Sequence, residues 1–520
     1  MRRPSCLIPA VCTGLLVWGS FAGQVHGQML RFDNYRDAVV PDNANIRIGN
    51  FWSDWSMAQS VGVRYTRSTG AGADYLYQNG LGDTKKDGIE FPFVSTLNLK
   101  NYLLVSRYMD LDLSFSLTYS YFPNRTEDNQ FKIGMLGQGV SFQMGSFSMT
   151  ATRDSVDGAF NGNNATANTY TRTGGSKGGG SSANLSSEFD LTPYVKGRVY
   201  DAPSYSESYV DARGRADLLR GDKFRYFQNA IGLDLDWLMA KDKDMSATVV
   251  HSDTWPLDTQ FNKTRTSVNS PSLIYQQQLS PVTLVGARGD WSWHSFDTAV
   301  RGNQAQQDYT GFMGLDLTED SQLRAGGGYS LATLSNPGAS EQAGNSGAVV
   351  GYASLRSMLT ERTAHSIGYT RRQDSGFGAG VELSDEYRYA ISWHNDEWSW
   401  SFLTSYSKVQ TTLAQVSDYT DWVNQLGVTR SLTENLTAMA NGAYTTRHNG
   451  PVLPNDASGN SVYVSNDYHT WAVNLGLNQQ VTKHVFVYYY VEHLVEAGDV
   501  ATLDFSRDTI GVTLSYQHDF

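Results

Sequence analysis

Cysteine is almost missing from this chain of 520 residues, which has only Cys6 and Cys12. Both lie in a stretch that reads as a secretory signal. Arg2 and Arg3 come first, residues 7–21 are mostly apolar, and Val25 and Gly27 precede an expected cut ahead of Gln28. Cys12 allows a lipoprotein reading, but Val11 is not small and the apolar run continues past it. A mature chain from Gln28 has no cysteine, which excludes disulfides and Cys-based metal sites. No later apolar run is long enough to cross a bilayer as a helix, and mean hydropathy is −0.40. Positive charge is also short, with 40 Lys and Arg against 52 Asp and Glu; the net charge of −12 argues against a nucleic-acid partner. Proline, at 13 residues, rarely interrupts extended segments.

Glycine (49) and tyrosine (30) are plentiful, and aromatics make up 12% of the chain. Tyr and Trp suit both strands and membrane interfaces. The dominant pattern is alternation. In residues 509–520, Ile510, Val512, Leu514, Tyr516, His518 and Phe520 share one face of an extended strand; Thr509, Gly511, Thr513, Ser515, Gln517 and Asp519 share the other. Leu111, Leu113, Phe115, Leu117, Tyr119 and Tyr121 alternate with small polar residues in the same way, as do Ile231, Leu233, Leu235 and Trp237 with Gly232, Asp234 and Asp236. An edge strand of a soluble all-β protein is the competing reading of the last segment alone.

Short, similar turns recur along the chain. They include Leu191 with Thr192, Leu279 with Ser280, Leu317 with Thr318, Leu359 with Thr360, Leu432 with Thr433, and Val481 with Thr482. Connections at the other end are longer, a segregation expected of a barrel inserted from one side. The expectation is an all-β fold, a transmembrane antiparallel up-and-down β-barrel of about 22 strands, within a range of roughly 18 to 24 and even in number. Residues 1–27 are the expected signal peptide, 28–59 a periplasmic extension and 60–520 the barrel. Residues 161–184 read as a low-complexity surface loop, and 203–222 as a second long loop.

The apolar alternation ending on Phe520, with Leu514 and Tyr516 before it, resembles the C-terminal insertion signal of bacterial outer-membrane β-barrels. That likeness implies an outer-membrane location, contact with its lipid, and the barrel-assembly machinery as a partner. Val61, Gly62, Val63, Arg64 and Tyr65, followed by residues 87–99 and the alternating 111–121, resemble the β-barrel porin-2 family. This second likeness covers about the first fifth of the barrel, a span judged by pattern alone. It implies a membrane conduit, and an association of some members with exopolysaccharide systems.

Chemistry is sparse. No phosphate loop or His-Glu-x-x-His occurs, no metal or cofactor is expected, and His365 with Ser366 and Ser392 with His394 are mere sequence neighbours. No catalytic residue is assigned and an enzyme is not expected. Alternation turns Asp112, Asp234, Asp236, Asp316, Arg324 and Arg388 toward the lumen, since charge on the lipid face is costly, at ~2–4 kcal/mol for Arg at the midplane. These residues either stiffen the wall as salt bridges or set solute selectivity. Arg213, Arg215 and Arg220 are candidates for an in-folded constriction meeting Asp234 and Asp236. The leading functional expectation is a porin-like channel for small polar solutes; an exopolysaccharide export barrel is the alternative.

Overall fold

A computed structural model describes residues 46–70, 87–106, 109–112, 115–123, 130–135, 179–182, 185–210, 222–257, 265–296, 303–335, 343–375, 381–412, 418–452, 464–499 and 504–519. The expected signal peptide, most of the expected extension, the three loop arginines and Phe520 lie outside them. The strands begin with β1 (Ile46–Ile48), β2 (Phe51–Thr69), β3 (Gly88–Glu90), β4 (Phe93–Ser106), β5 (Met109–Asp112), β6 (Phe115–Tyr121) and β7 (Gln130–Met135). There follow β8 (Gly179–Ser182), β9 (Leu185–Thr192), β10 (Val195–Val210), β11 (Asp222–Ala240), β12 (Lys243–Pro256) and β13 (Thr266–Ser280). Next are β14 (Thr283–Phe296), β15 (Asn303–Thr318), β16 (Ser321–Ser335), β17 (Gly344–Thr360), β18 (Thr363–Ser375) and β19 (Val381–His394). The last are β20 (Trp398–Thr412), β21 (Tyr419–Thr433), β22 (Leu436–Val452), β23 (Val464–Thr482), β24 (Val485–Gly498) and β25 (Phe505–Asp519).

One antiparallel sheet holds all of them. From β10 to β25 each strand pairs with the next, and β25 then pairs with β2 from Ser56↔Asp519 to Thr69↔Ser506. β3 with β4, β5 with β6, and β8 with β9 are interrupted single strands, each pair lying on a common neighbour. Merging these, and leaving β1 as a stub hairpinned onto β2, gives 21 strands among the described residues, inside the expected range and odd where an even number was expected. β8 lies against β7 and β9 against β5, with no ladder between them among the described residues.

Three boundaries differ from the sequence expectation. The barrel starts at Phe51 rather than residue 60, because β4 pairs with β2 from Phe51 to Val61. Residues 203–210 are strand rather than loop, laddered to residues 222–229 of β11. Gly179–Ser182, read as low-complexity loop, pair with residues 204–207 of β10. In the last two cases a neighbouring ladder overrides local composition. Prolines confirm how strict the ladder is. Pro271 sits where the pairing of β13 with β14 lapses between Asn269 and Ser272, and Pro203 sits where β10 passes from β9 to β8. A residue without an N–H is tolerated only at such interruptions.

The short turns share one construction. In each, the ladder skips the residue before the Thr or Ser: Leu191, Leu279, Leu317, Leu359, Leu432 or Val481. That residue is a β-bulge, and its apolar side chain is exposed. The following hydroxyl accepts a hydrogen bond from the N–H two residues on, at 3.2–3.3 Å in all six. The six apolar side chains thus form a ring just above the turns. Only two or three residues separate strands at this end from β9 onward, against five to eleven at the other.

Large exposed apolar side chains line one face of the sheet. They include Val63, Ile231, Val249, Leu273, Ile367, Leu426, Leu475, Val491, Ile510, Val512, Leu514 and Tyr516. An apolar surface of this extent is a lipid-facing surface. Leu514 and Tyr516 fall on it as expected. Leu233 lies on the same face, between Val199 and Val249. Leu233→Arg is expected to lose stability by about 2–4 kcal/mol if midplane, and less near an interface. Urea unfolding in lipid vesicles checks this; wild-type stability would show the face to be misassigned.

Candidate functional site: the lumen wall

The face opposite the apolar belt is polar, and its charges are organised by register. Arg198 on β10 is directly opposite Asp234 on β11, and its Nε donates to Asp234 Oδ2 at 2.8 Å. Arg64 on β2 is opposite Glu90 on β3, and the two are ion-paired and buried. Arg447 on β22 grips Asp421 on β21 through Nε (2.7 Å) and Nη2 (3.2 Å), while its Nη1 reaches Tyr468 Oη on β23 at 2.9 Å. Arg507 on β25 reaches Glu492 on β24 at 3.5 Å. Arg288 and Asp290 pair along β14 at 2.6 Å.

These pairs bear on the expected pore-lining residues. Asp234 is inward but only 5% exposed, and Arg198 of its own wall already holds it. Asp234 thus takes a cation from the adjacent strand, while its expected meeting with Arg213, Arg215 or Arg220 falls on residues outside the described ones. Asp236 accepts from Ser246 Oγ at 2.7 Å. Asp316 is exposed, two residues before the end of β15, and so sits at the short-turn rim. Asp112 is placed by its backbone alone, on β5 opposite Tyr102.

Arg324 and Arg388 belong together. Arg324 on β16 is opposite Ser354 on β17, Ser354 is opposite Gly368 on β18, and Gly368 is opposite Arg388 on β19. Arg356, two residues from Ser354 on the same face of β17, completes a set of three guanidinium groups over a floor of small residues. Asp316 and Glu386 are the acids on this face beside them. Arg356 escaped the sequence reading, although its alternation with Tyr352 and Ser354 gave the signal. Arg64, Arg198, Arg447 and Arg507 escaped because partners on other strands identify them.

Inward glycines are not open space. A Cβ on Gly232 would fall within the ring of Tyr200, one on Gly326 would meet Tyr352, one on Gly476 would meet Tyr488, and one on Gly511 would meet Tyr490. Each ring comes from the adjacent strand and lies over the glycine. Small inward residues therefore seat aromatics rather than widen the lumen, an arrangement that also pins register. Tyr488 and Tyr490 stack at 5.4 Å between ring centroids.

His365 lies on the outer face, edge-on to Tyr389, so His365 and Ser366 point to opposite sides of the sheet. Ser292 and His294, which the sequence reading passed over, are hydrogen-bonded at 3.2 Å on the lumen face of β14.

Fold, belt and polar wall together define a transmembrane β-barrel of the outer-membrane type. Solved structures with a similar outline include the siderophore receptor PirA from Pseudomonas aeruginosa, with 9% identity and a TM-score of 0.43 over 89% of this chain and 80% of that one. An FrpB iron transporter from Neisseria meningitidis has 8% identity and a TM-score of 0.43 over 89% and 82%. The copper transporter OprC has 11% identity and a TM-score of 0.42 over 91% and 81%. Likeness at this level carries no argument about cargo. No family model matches the chain, and no curated protein matches it. The likeness to the porin-2 family thus gains no support beyond the coarser class of outer-membrane barrel.

Two outcomes follow from the wall. Asp234→Asn is expected to destabilise the barrel by about 3–5 kcal/mol, because Arg198 is left buried without its counter-charge. Replacing Arg198 as well, with Met, should recover much of that loss in denaturant titrations; an equal or greater loss would contradict the pairing. Gly232→Val is expected to cost about 1–3 kcal/mol by overpacking. In a Tyr200→Ala background the same change should cost less, and additive effects would show that the ring does not sit on the glycine.

Proposed function

We propose that the protein is an outer-membrane channel through which small polar solutes pass passively, without catalysis. The observation that carries this reading is a polar wall on a barrel with 21 strands among the described residues, a circumference larger than its own inward side chains fill. The fixed ion pairs of β10 with β11 and β21 with β22 maintain the wall's shape. Arg324, Arg356 and Arg388 are the part of the wall that selects, because guanidinium groups over a small-residue floor favour anions. Residues 211–221, with Arg213, Arg215 and Arg220, are the proposed constriction.

Purified protein in planar bilayers is expected to conduct, with anions preferred over cations of equal size. Arg324→Glu with Arg388→Glu should reverse or abolish that preference while conductance persists. Removing residues 212–220, which spares β10 and β11, should raise conductance. Silence of the wild type would reject the conduit; unchanged preference in the Glu variant would reject the arginines as its filter.

A further inference from the structure

Four aromatic residues form a row on the outer face, at the long-connection side of the belt. Tyr369 on β18 is opposite Tyr387 on β19, Tyr387 opposite Tyr406 on β20, and Tyr406 opposite Trp422 on β21. Tyr369 and Tyr387 lie 4.9 Å apart and Tyr387 and Tyr406 6.4 Å, centroid to centroid. Two residues further along the same strands, on the same face, runs a second row: Arg371, Asp385, Lys408 and Thr420, each opposite the next.

The height of this second row fits a membrane boundary. Lys408 lies eleven residues beyond Glu397, the last residue of its short turn. At about 3.3 Å per residue and a tilt of roughly 40°, that is some 28 Å, against an apolar band of about 25 Å. The aromatic row is therefore the outer girdle, and the charged row stands at headgroup level. One carboxylate, Asp385, stands between the two cations in register and is held by Arg371. Asp385 Oδ1 accepts from Tyr369 Oη at 2.6 Å and meets Arg371 Nη1 at 3.4 Å. Lys408 is exposed and has no ion pair among the described residues. A net positive row, continuous with the lipid-facing surface and edged by aromatics, complements an anionic headgroup.

We propose that Arg371, held by Asp385, and Lys408, beside it in register and flanked by Thr420, bind the phosphate of a phosphorylated glycolipid in the outer leaflet. Arg371 supplies planar donors and Lys408 a mobile point charge, while Tyr387, Tyr406 and Trp422 meet the upper part of the acyl chains. This site is independent of whether the lumen conducts.

The test is lipid retention, read by native mass spectrometry of the full chain in detergent. The probe is a bisphosphorylated glucosamine glycolipid, set against its dephosphorylated form. Wild type is expected to keep the phosphorylated lipid in preference. Arg371→Ala or Lys408→Ala should weaken retention about fivefold and the double variant roughly thirtyfold, the scale for one or two cations at an anionic surface. Lys408→Arg should retain the lipid, as should Lys241→Ala at the opposite rim. Heat-resistant migration in gels shows that each variant is folded. Equal retention of both lipid forms, undiminished retention by the double variant, or inorganic phosphate binding at the row without lipid would each overturn the proposal.

Discussion

A sheet in lipid has no solvent for an unpaired backbone group, so every N–H and C=O within the apolar zone must find a partner in the sheet itself. The seam between β2 and β25 is where this constraint is decided. Fourteen consecutive residue pairs join these strands, although they lie more than 430 residues apart in sequence. β25 carries β24 on its other edge, so the terminal strand is paired on both sides. Without the seam, two strands with strongly apolar outer faces would become open edges, the feature that leads extended segments to aggregate.

With β2 laddered to β25, register decides which groups meet. Arg64 faces Glu90, Arg198 faces Asp234 and Arg447 faces Asp421 because their backbones are paired, not because their sequences are close. A one-residue slip of any strand would put its cation in lipid and its apolar residues in the lumen. The rings of Tyr200, Tyr352, Tyr488 and Tyr490 work in the same direction, since each fits only over a neighbouring glycine. Wall electrostatics and wall packing therefore defend one register together.

Features that depend on local pattern were legible in the sequence. The faces of β25 and β11 follow from period two, and the six short turns follow from a repeated apolar residue before Thr or Ser, although the bulge at that residue shows only in the register. Asp234, Asp236, Asp316, Arg324 and Arg388 share the polar face for the same reason. What failed to show depends on partners elsewhere. Residues 203–210 read as loop because of Pro203 and its serines, yet β11 supplies a partner for each. Residues 51–59 fall within the expected extension, but β4 and β25 hold them in the wall. Asp234 looked available to a solute until register gave it Arg198.

The two faces use charge for different ends. On the lumen side, Arg64, Arg198, Arg447 and Arg507 are each locked to a carboxylate on the next strand, and a locked pair stiffens the wall more than it attracts a solute. Arg324 and Arg388 are placed differently, on a shared row with the small residues Ser354 and Gly368 between them. On the outer side, Arg371, Asp385 and Lys408 stand beside the aromatic row where the apolar belt ends, and Arg371 is paired there with Asp385. Charge is costly at mid-height in the bilayer and far less so at the rim, where the surrounding membrane is itself charged.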